Sequence, residues 1–342
     1  MGWWQVNADT LAGSRFVVSP LAEVFACLKL LHAGVGAHPG ETAWLRAQLP
    51  GYRALLDRDP VTAALVRAGL GREWIADFLT PATRDGESFA QEVGRVRDVA
   101  GADARAHLRV AVGGQLPRML ERDDLGELAA SLLEYVWEAG VRPSWERRRR
   151  VLEGDVVARV AQVGRGGWAA VLDSLRPGTR WLGGNRFQVN LHEYPPREIA
   201  GAELVFVPVT PRTGWVAWEE GPRRPDPECG RGRYAVVYPC AGPLVGVSEG
   251  GGGSVRALEA LLGVGRARVL VLLDSPLSTT QLVALTGQGL GSVGRHLRVL
   301  LDAGLVERRR VGRTVLYWRT GVGDGVVGRS GTDEASGASG TS

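Results

Sequence analysis

The stretch STTQLVALTGQGLGSVGRHLRVLLDAGLVERRRVGRTVLYWR, residues 278–319, sets out two helices and a hairpin in succession. Ser278 and Gln281 have the spacing of a capping box, in which the serine oxygen accepts from the third helical N–H and the glutamine reaches back. A helix therefore opens here and runs to Thr286, with Leu282 and Leu285 facing inward. Gly287-Gln288-Gly289 makes the turn. At about 100° per residue, Val293, Leu297 and Leu300 share one face of the next helix, with Leu290 and Leu301 at its margins. Ser292, Arg295 and Val299 fall opposite, flanked by His296 and Arg298. That helix is predicted over 290–303 and closes at Gly304, a residue suited to the left-handed position after a helix. Two strands, 305–310 and 314–319, follow and are joined by Val311-Gly312-Arg313.

Working outward, 255–262 and 266–274 read as two more helical stretches, so 255–320 is predicted as a winged helix-turn-helix unit. Residues 249–254, with four consecutive glycines, read as a flexible linker. The Gly/Ser/Thr-rich stretch 321–342 cannot bury much apolar surface and is expected to be a disordered tail. Charge follows the same division. Residues 1–253 carry 30 basic and 30 acidic side chains, whereas 254–320 carry 10 Arg against 4 acids. The excess positive charge is thus concentrated where a phosphate-binding module would need it.

Residues 255–320 resemble the ArsR-type winged-helix regulators. Gly265-Arg266-Ala267-Arg268-Val269-Leu270 matches the family's first helix. Ser292-Val293-Gly294-Arg295-His296-Leu297-Arg298-Val299-Leu300, followed by Asp302-Ala303-Gly304-Leu305-Val306, matches the recognition helix and its exit. Arg308-Arg309-Arg310-Val311-Gly312-Arg313 with Tyr317 matches the wing. With its long N-terminal region, the architecture is similar to a group of actinobacterial-type regulators.

The resemblance implies binding to double-stranded DNA as a transcriptional repressor, with the second helix in the major groove. The residues implied in DNA binding are Thr279, Thr280, Gln288, Leu290, Gly291, Ser292, Arg295, His296 and Arg298 on the helices. On the wing they are Arg308, Arg309, Arg310 and Arg313. Ser292 and Arg295 are the first choices for base edges, because Arg reads guanine bidentately and Ser donates or accepts. His296 and Arg298, lower on the flank, suit phosphates. The wing arginines suit phosphates or the adjacent minor groove. Gly289, Leu290 and Gly291 stand where polar groups are usual, which shifts weight to DNA shape or a thymine methyl contact.

The family's metal-binding cysteines would fall on 279–286, which holds no Cys, so neither metal nor cofactor is expected. Many members dimerise through a helix after the wing. With that segment expected to be disordered, a homodimer is expected to form through the N-terminal domain, residues 1–248.

That domain reads as mainly helical with a small β region, giving an α+β chain. Ser19-Pro20 is a helix start and Gly34 its stop. Further helical patterns cover about 41–56, 60–79, 87–112, 124–139, 144–163 and 166–175. Strand patterns lie at 187–191, 204–207, 215–218 and 234–238. The chain has eleven Trp. Trp181, Trp215 and Trp218 mark a candidate pocket for a small-molecule effector, and plain core or a dimer interface explains them equally well. The Arg147–Arg150 run reads as a solvated helix face.

Cys27, Cys229 and Cys240 fit no zinc spacing. With no leader pattern and no apolar run long enough to cross a membrane, a cytoplasmic protein is expected. Gly289-Leu290-Gly291-Ser292-Val293-Gly294 spells the dinucleotide fingerprint, but a helix precedes it where that motif requires a strand. No nucleophile motif or triad is visible, so an enzyme with an appended winged helix ranks below a protein-interaction module, and both rank below a DNA-binding regulator.

Overall fold

The computed structural model describes residues 2–37, 39–71, 74–192, 195–219, 232–240, 258–273, 277–311 and 314–329. The chain is α+β and divides into two compact units, the first taking in residues 1–37 and 41–240 and the second residues 241–342 together with 38–40. The glycine run at 249–254 lies outside the described residues.

In the first unit, β1 (Gly2–Gln5), α1 (Ala8–Ala12) and β2 (Arg15–Phe16) lead into a helical block. It comprises α2 (Pro20–Ala33), α3 (Pro39–Arg58), α4 (Pro60–Gly69), α5 (Phe89–Arg97), α6 (Gly101–Val112), α7 (Leu125–Val136) and α8 (Trp145–Leu172). Then come β3 (Arg180–Gly183), β4 (Arg186–Asn190), β5 (Arg197–Glu198), β6 (Glu203–Val209), β7 (Trp215–Glu219) and β8 (Arg233–Pro239). α2 forms as its punctuation dictates. Ser19 Oγ accepts from the Ala22 N–H, Pro20 fills the first turn, and Gly34 closes the helix at φ 67°. Apolar residues are buried all round it, which marks a central helix rather than a surface one.

Several helical patterns resolve differently from expectation. The 60–79 run stops at Gly69, because Leu70 turns out of the helix and pairs with Ile75. Gly71 then passes so close to the Ala111 carbonyl that a Cβ would lie 2.2 Å from it. The 87–112 run is two helices. The patterns at 144–163 and 166–175 merge into α8, broken at Gly167 by a φ of 69°.

Among the described residues of the first unit, two four-stranded sheets form, one more than the strand patterns suggested. The central one runs β2-β6-β8-β7, with β6 parallel to β2 and β8, and β7 antiparallel to β8. Both faces of β6 are covered, which is why it reads as an unbroken apolar run. Val205, Val207, Val209, Ala235 and Val237 join the helical core. Leu204, Phe206, Tyr234, Val236 and Tyr238 face a second core with Trp4, Phe187, Val171 and Leu172. The other sheet, β3-β4-β1-β5, supplies that layer and has the N-terminal strand inside it.

Arg148 departs from the solvated face expected of its run: its side chain is 1% exposed. Its guanidinium pairs with Glu23 at 2.5 Å and also donates to Thr210 Oγ1, Cys27 Sγ and Ser144 Oγ. Glu23, itself fully buried, accepts from the Thr210 backbone N–H at 2.8 Å and from the Thr210 hydroxyl. Burial pushes the neighbouring Cys27 thiol up to about 12, so it stays protonated.

In the second unit, residues 258–262 form α9, followed by α10 (Val264–Leu272), β9 (Leu277–Ser278), α11 (Thr279–Thr286) and α12 (Leu290–Asp302). β10 (Val306–Val311), β11 (Thr314–Arg319) and α13 (Gly321–Arg329) complete it. Its own core holds Val269, Leu270, Leu273, Leu277, Leu282, Val293, Leu297, Leu300, Leu305, Val306 and Tyr317. The expectation of disorder from residue 321 fails over 321–329. Composition understates this segment, because helix α13 is fixed by a few specific contacts. The Asp324 N–H bonds to the Thr320 carbonyl, Asp324 pairs with Arg319 at 2.7 Å, and Val326 and Val327 pack on the core.

Gly323 lies so close to the Leu305 carbonyl that an added Cβ would stand 2.1 Å away. Gly323→Ala is therefore expected to lower the stability of this unit by about 1–3 kcal/mol through overpacking, read as an earlier denaturant midpoint. Were α13 undocked, the same change would raise its helicity, since Ala is the better helix former.

Candidate nucleic-acid interface

Both hydrogen bonds of the capping box form at the start of α11. The Gln281 N–H donates to Ser278 Oγ at 3.3 Å, and the Ser278 N–H donates to Gln281 Oε1 at 2.8 Å. Gly287 ends α11 at φ 68°. That left-handed residue turns the chain into α12 without the steric cost a side chain would meet. α12 then presents two unlike sides. Val293, Leu297 and Leu300 are buried, whereas Gly291, Arg295 and Arg298 are exposed together with Leu290 (63%) and Val299 (44%). Arg295 Nε donates to the Gly291 carbonyl at 3.3 Å, which lays its stem along the helix.

The remaining candidates are placed unequally. Ser292 is half-buried at the flank of the exposed side, and Thr279 and Thr280 are half-buried in the first turn of α11. Gln288 and His296 turn inward. A Cβ on Gly265 would lie 2.5 Å from His296 Nε2 and 3.3 Å from Gln288 Nε2, so both side chains sit over the backbone at the start of α10. Gln288 Oε1 is buried there without a hydrogen-bond partner. Burial, helped by Arg266 and Arg295, lowers the His296 pKa. That shift favours the neutral imidazole, which packs over the start of α10. The only signal in the sequence was the glycine at 265, whose missing side chain makes the room.

The wing is a three-stranded sheet, β10-β11-β9, because Leu277 and Ser278 pair with Tyr317 and Leu316. Arg308, Arg309 and Arg310 lie opposite Tyr317, Leu316 and Val315 in the hairpin register. Arg308 and Arg310 are exposed. The Arg309 side chain and all of Arg313 lie outside the described residues. Not every wing cation is available to a ligand. Arg319 Nη1 donates to the Leu270 and Val271 carbonyls, closing the C-terminal end of α10.

The matched pattern of these elements is not generic. Residues 265–308, from α10 into β10, match the family model described as bacterial regulatory protein, arsR family. This segment is an ArsR-family helix-turn-helix domain. No curated protein and no solved structure matches the chain. The ArsR-family domain is a DNA-binding module of transcription regulators, and the match ends at Arg308, before the rest of the wing. Among the described residues, no helix is long and apolar enough to cross a membrane, and no group of three metal-ligating side chains occurs.

Proposed function

We propose that this protein is a DNA-binding transcriptional repressor that reads the major groove with α12 and acts in the cytoplasm as a homodimer on a pseudo-palindromic site. The observation that carries the reading is the two-sided α12. Its buried side anchors it on α10 and α11, and its exposed side offers Arg295 and Arg298 beside a glycine that keeps the helix surface low. A major groove admits such a helix, and base edges then meet its N-terminal half. In this pose Arg295 addresses guanine, Leu290 and Val299 suit thymine methyl groups, and Arg298 meets a phosphate. Ser292, Thr279 and Thr280 supply further polar contacts. Arg308, Arg310, Arg309 and Arg313 extend the wing's contacts along the backbone or into the minor groove. Catalysis has no part in this reading.

Fluorescence anisotropy of the full chain with duplex from the gene's own upstream region tests it. Binding is expected to survive nonspecific competitor and to weaken steeply with salt. Affinity no greater than for unrelated duplex overturns the reading. The exposed apolar pair Leu290 and Val299 favours one alternative, a protein-interaction surface, for which binding would be insensitive to salt.

A further inference from the structure

The first unit contains a cavity of about 390 Å³, within the size range of small-molecule sites. It opens where three layers converge: the last turns of α2, the chain following α4, and the edge of the central sheet at β7. Trp74, Trp215 and Trp218 contribute aromatic surface, with Leu70 and Ile75 beside them. The polar lining holds two cations, Lys29 and Arg176, together with Asp77, Asn190, His32 and His192; Arg176 is the charged neighbour that acts on Lys29.

Lys29 is the one lysine among 41 basic residues. Its ammonium rests 5.2 Å from the Trp215 ring centroid, and among the described residues it makes no ion pair. Arg176 is anchored rather than paired. Its Nη2 donates to the Val189 carbonyl at 2.5 Å, and its Nε is buried with no partner. Gly214 makes room for its stem, since a Cβ there would lie 2.9 Å from Arg176 Cδ. Burial, with Arg176 adding to it, pulls Lys29 down to about 8, and burial pulls Arg176 down to about 10. Two desolvated cations that disfavour each other and share a cavity are relieved by an anion placed between them.

We propose that this cavity binds a small aromatic carboxylate, with the carboxylate between Lys29 and Arg176 and the ring against Trp74 and Trp218. The planar guanidinium suits a carboxylate, and the indoles suit an aromatic body. An inorganic oxyanion would leave the apolar half of the cavity empty.

The test is calorimetric titration of the full chain, without DNA, with naphthoate, its neutral amide naphthamide, and inorganic phosphate. Naphthoate is expected to bind, and naphthamide and phosphate to bind at least tenfold more weakly. Lys29→Met is expected to cost at least tenfold in naphthoate affinity while leaving the unfolding midpoint unchanged or raised, because it removes a desolvated charge. Equal affinity for acid and amide overturns the proposal, as does a folded Lys29→Met chain that binds undiminished, tighter binding of phosphate, or no heat at millimolar ligand. The amide comparison uses the unaltered chain, so it does not depend on how the variant folds. Because no duplex enters the titration, its failure leaves the DNA-binding reading untouched, and failure of that reading leaves this site standing.

Discussion

Glu23→Gln is expected to destabilise the first unit by about 3–5 kcal/mol, the cost of stranding a buried charge. The substitution keeps the shape of the side chain and removes its charge. Arg148 cannot shed a proton in response and has no route to solvent at 1% exposure. The Thr210 N–H and hydroxyl, which now share the carboxylate, would retain at best one neutral acceptor. The double change Glu23→Leu with Arg148→Met is expected to recover most of the loss, since a buried ion pair and an apolar pair of similar volume are often near-equal in stability. Urea denaturation of the full chain measures both, with the transition of the first unit followed by tryptophan fluorescence. A loss below about 1 kcal/mol for Glu23→Gln, the size of an ordinary neutral hydrogen bond, would mean that Arg148 is solvated in the folded chain.

That pair also shows where the sequence stops being legible. Arg147–Arg150 reads as a solvated face because four arginines in a row exceed what a core accepts. Only tertiary contact reveals that one of them meets Glu23 of α2 and Thr210 beyond β6. The same reason hides β1. Gly2-Trp3-Trp4-Gln5 is too short to show a period, and Trp4 becomes wholly buried only because β4 and Tyr234 close around it. By contrast, α2, α11 and α12 are spelled locally: Ser19-Pro20 and Gly34, the Ser278/Gln281 box, and the spacing of Val293, Leu297 and Leu300. The exposed arginines of α12 follow from that spacing alone. Gln288 and His296 do not, because which flank of a helix is covered depends on the neighbouring helix. Helix α13 was missed for a related reason. Its glycines lower intrinsic helicity, yet Gly323 is what permits its approach to Leu305.

On α12 the expected effect divides between two arginines that sequence composition treats alike. Arg295→Ala is expected to weaken specific duplex binding by about 1–3 kcal/mol, roughly 5- to 150-fold, and to relax discrimination at one base pair. Arg298→Ala is expected to weaken specific and unrelated duplexes almost equally and to lower the slope of log affinity against log salt by about one unit. The distinction comes from position. Arg295 lies in the N-terminal half of the helix, which in the proposed pose enters the groove first, with its stem laid back toward Gly291. Arg298 stands almost a turn further along, where in the same proposed pose it would face the phosphates of the groove wall. Arg295→Lys separates charge from geometry: it keeps the cation and loses the planar fork, so a bidentate guanine contact stays broken while a phosphate contact largely recovers. Anisotropy titrations at several salt concentrations, on the operator and on a scrambled duplex, read all three variants. Full recovery by lysine at 295 would move that residue from the bases to the backbone. Unchanged binding in the Arg295→Ala/Arg298→Ala double variant would remove α12 from the interface altogether.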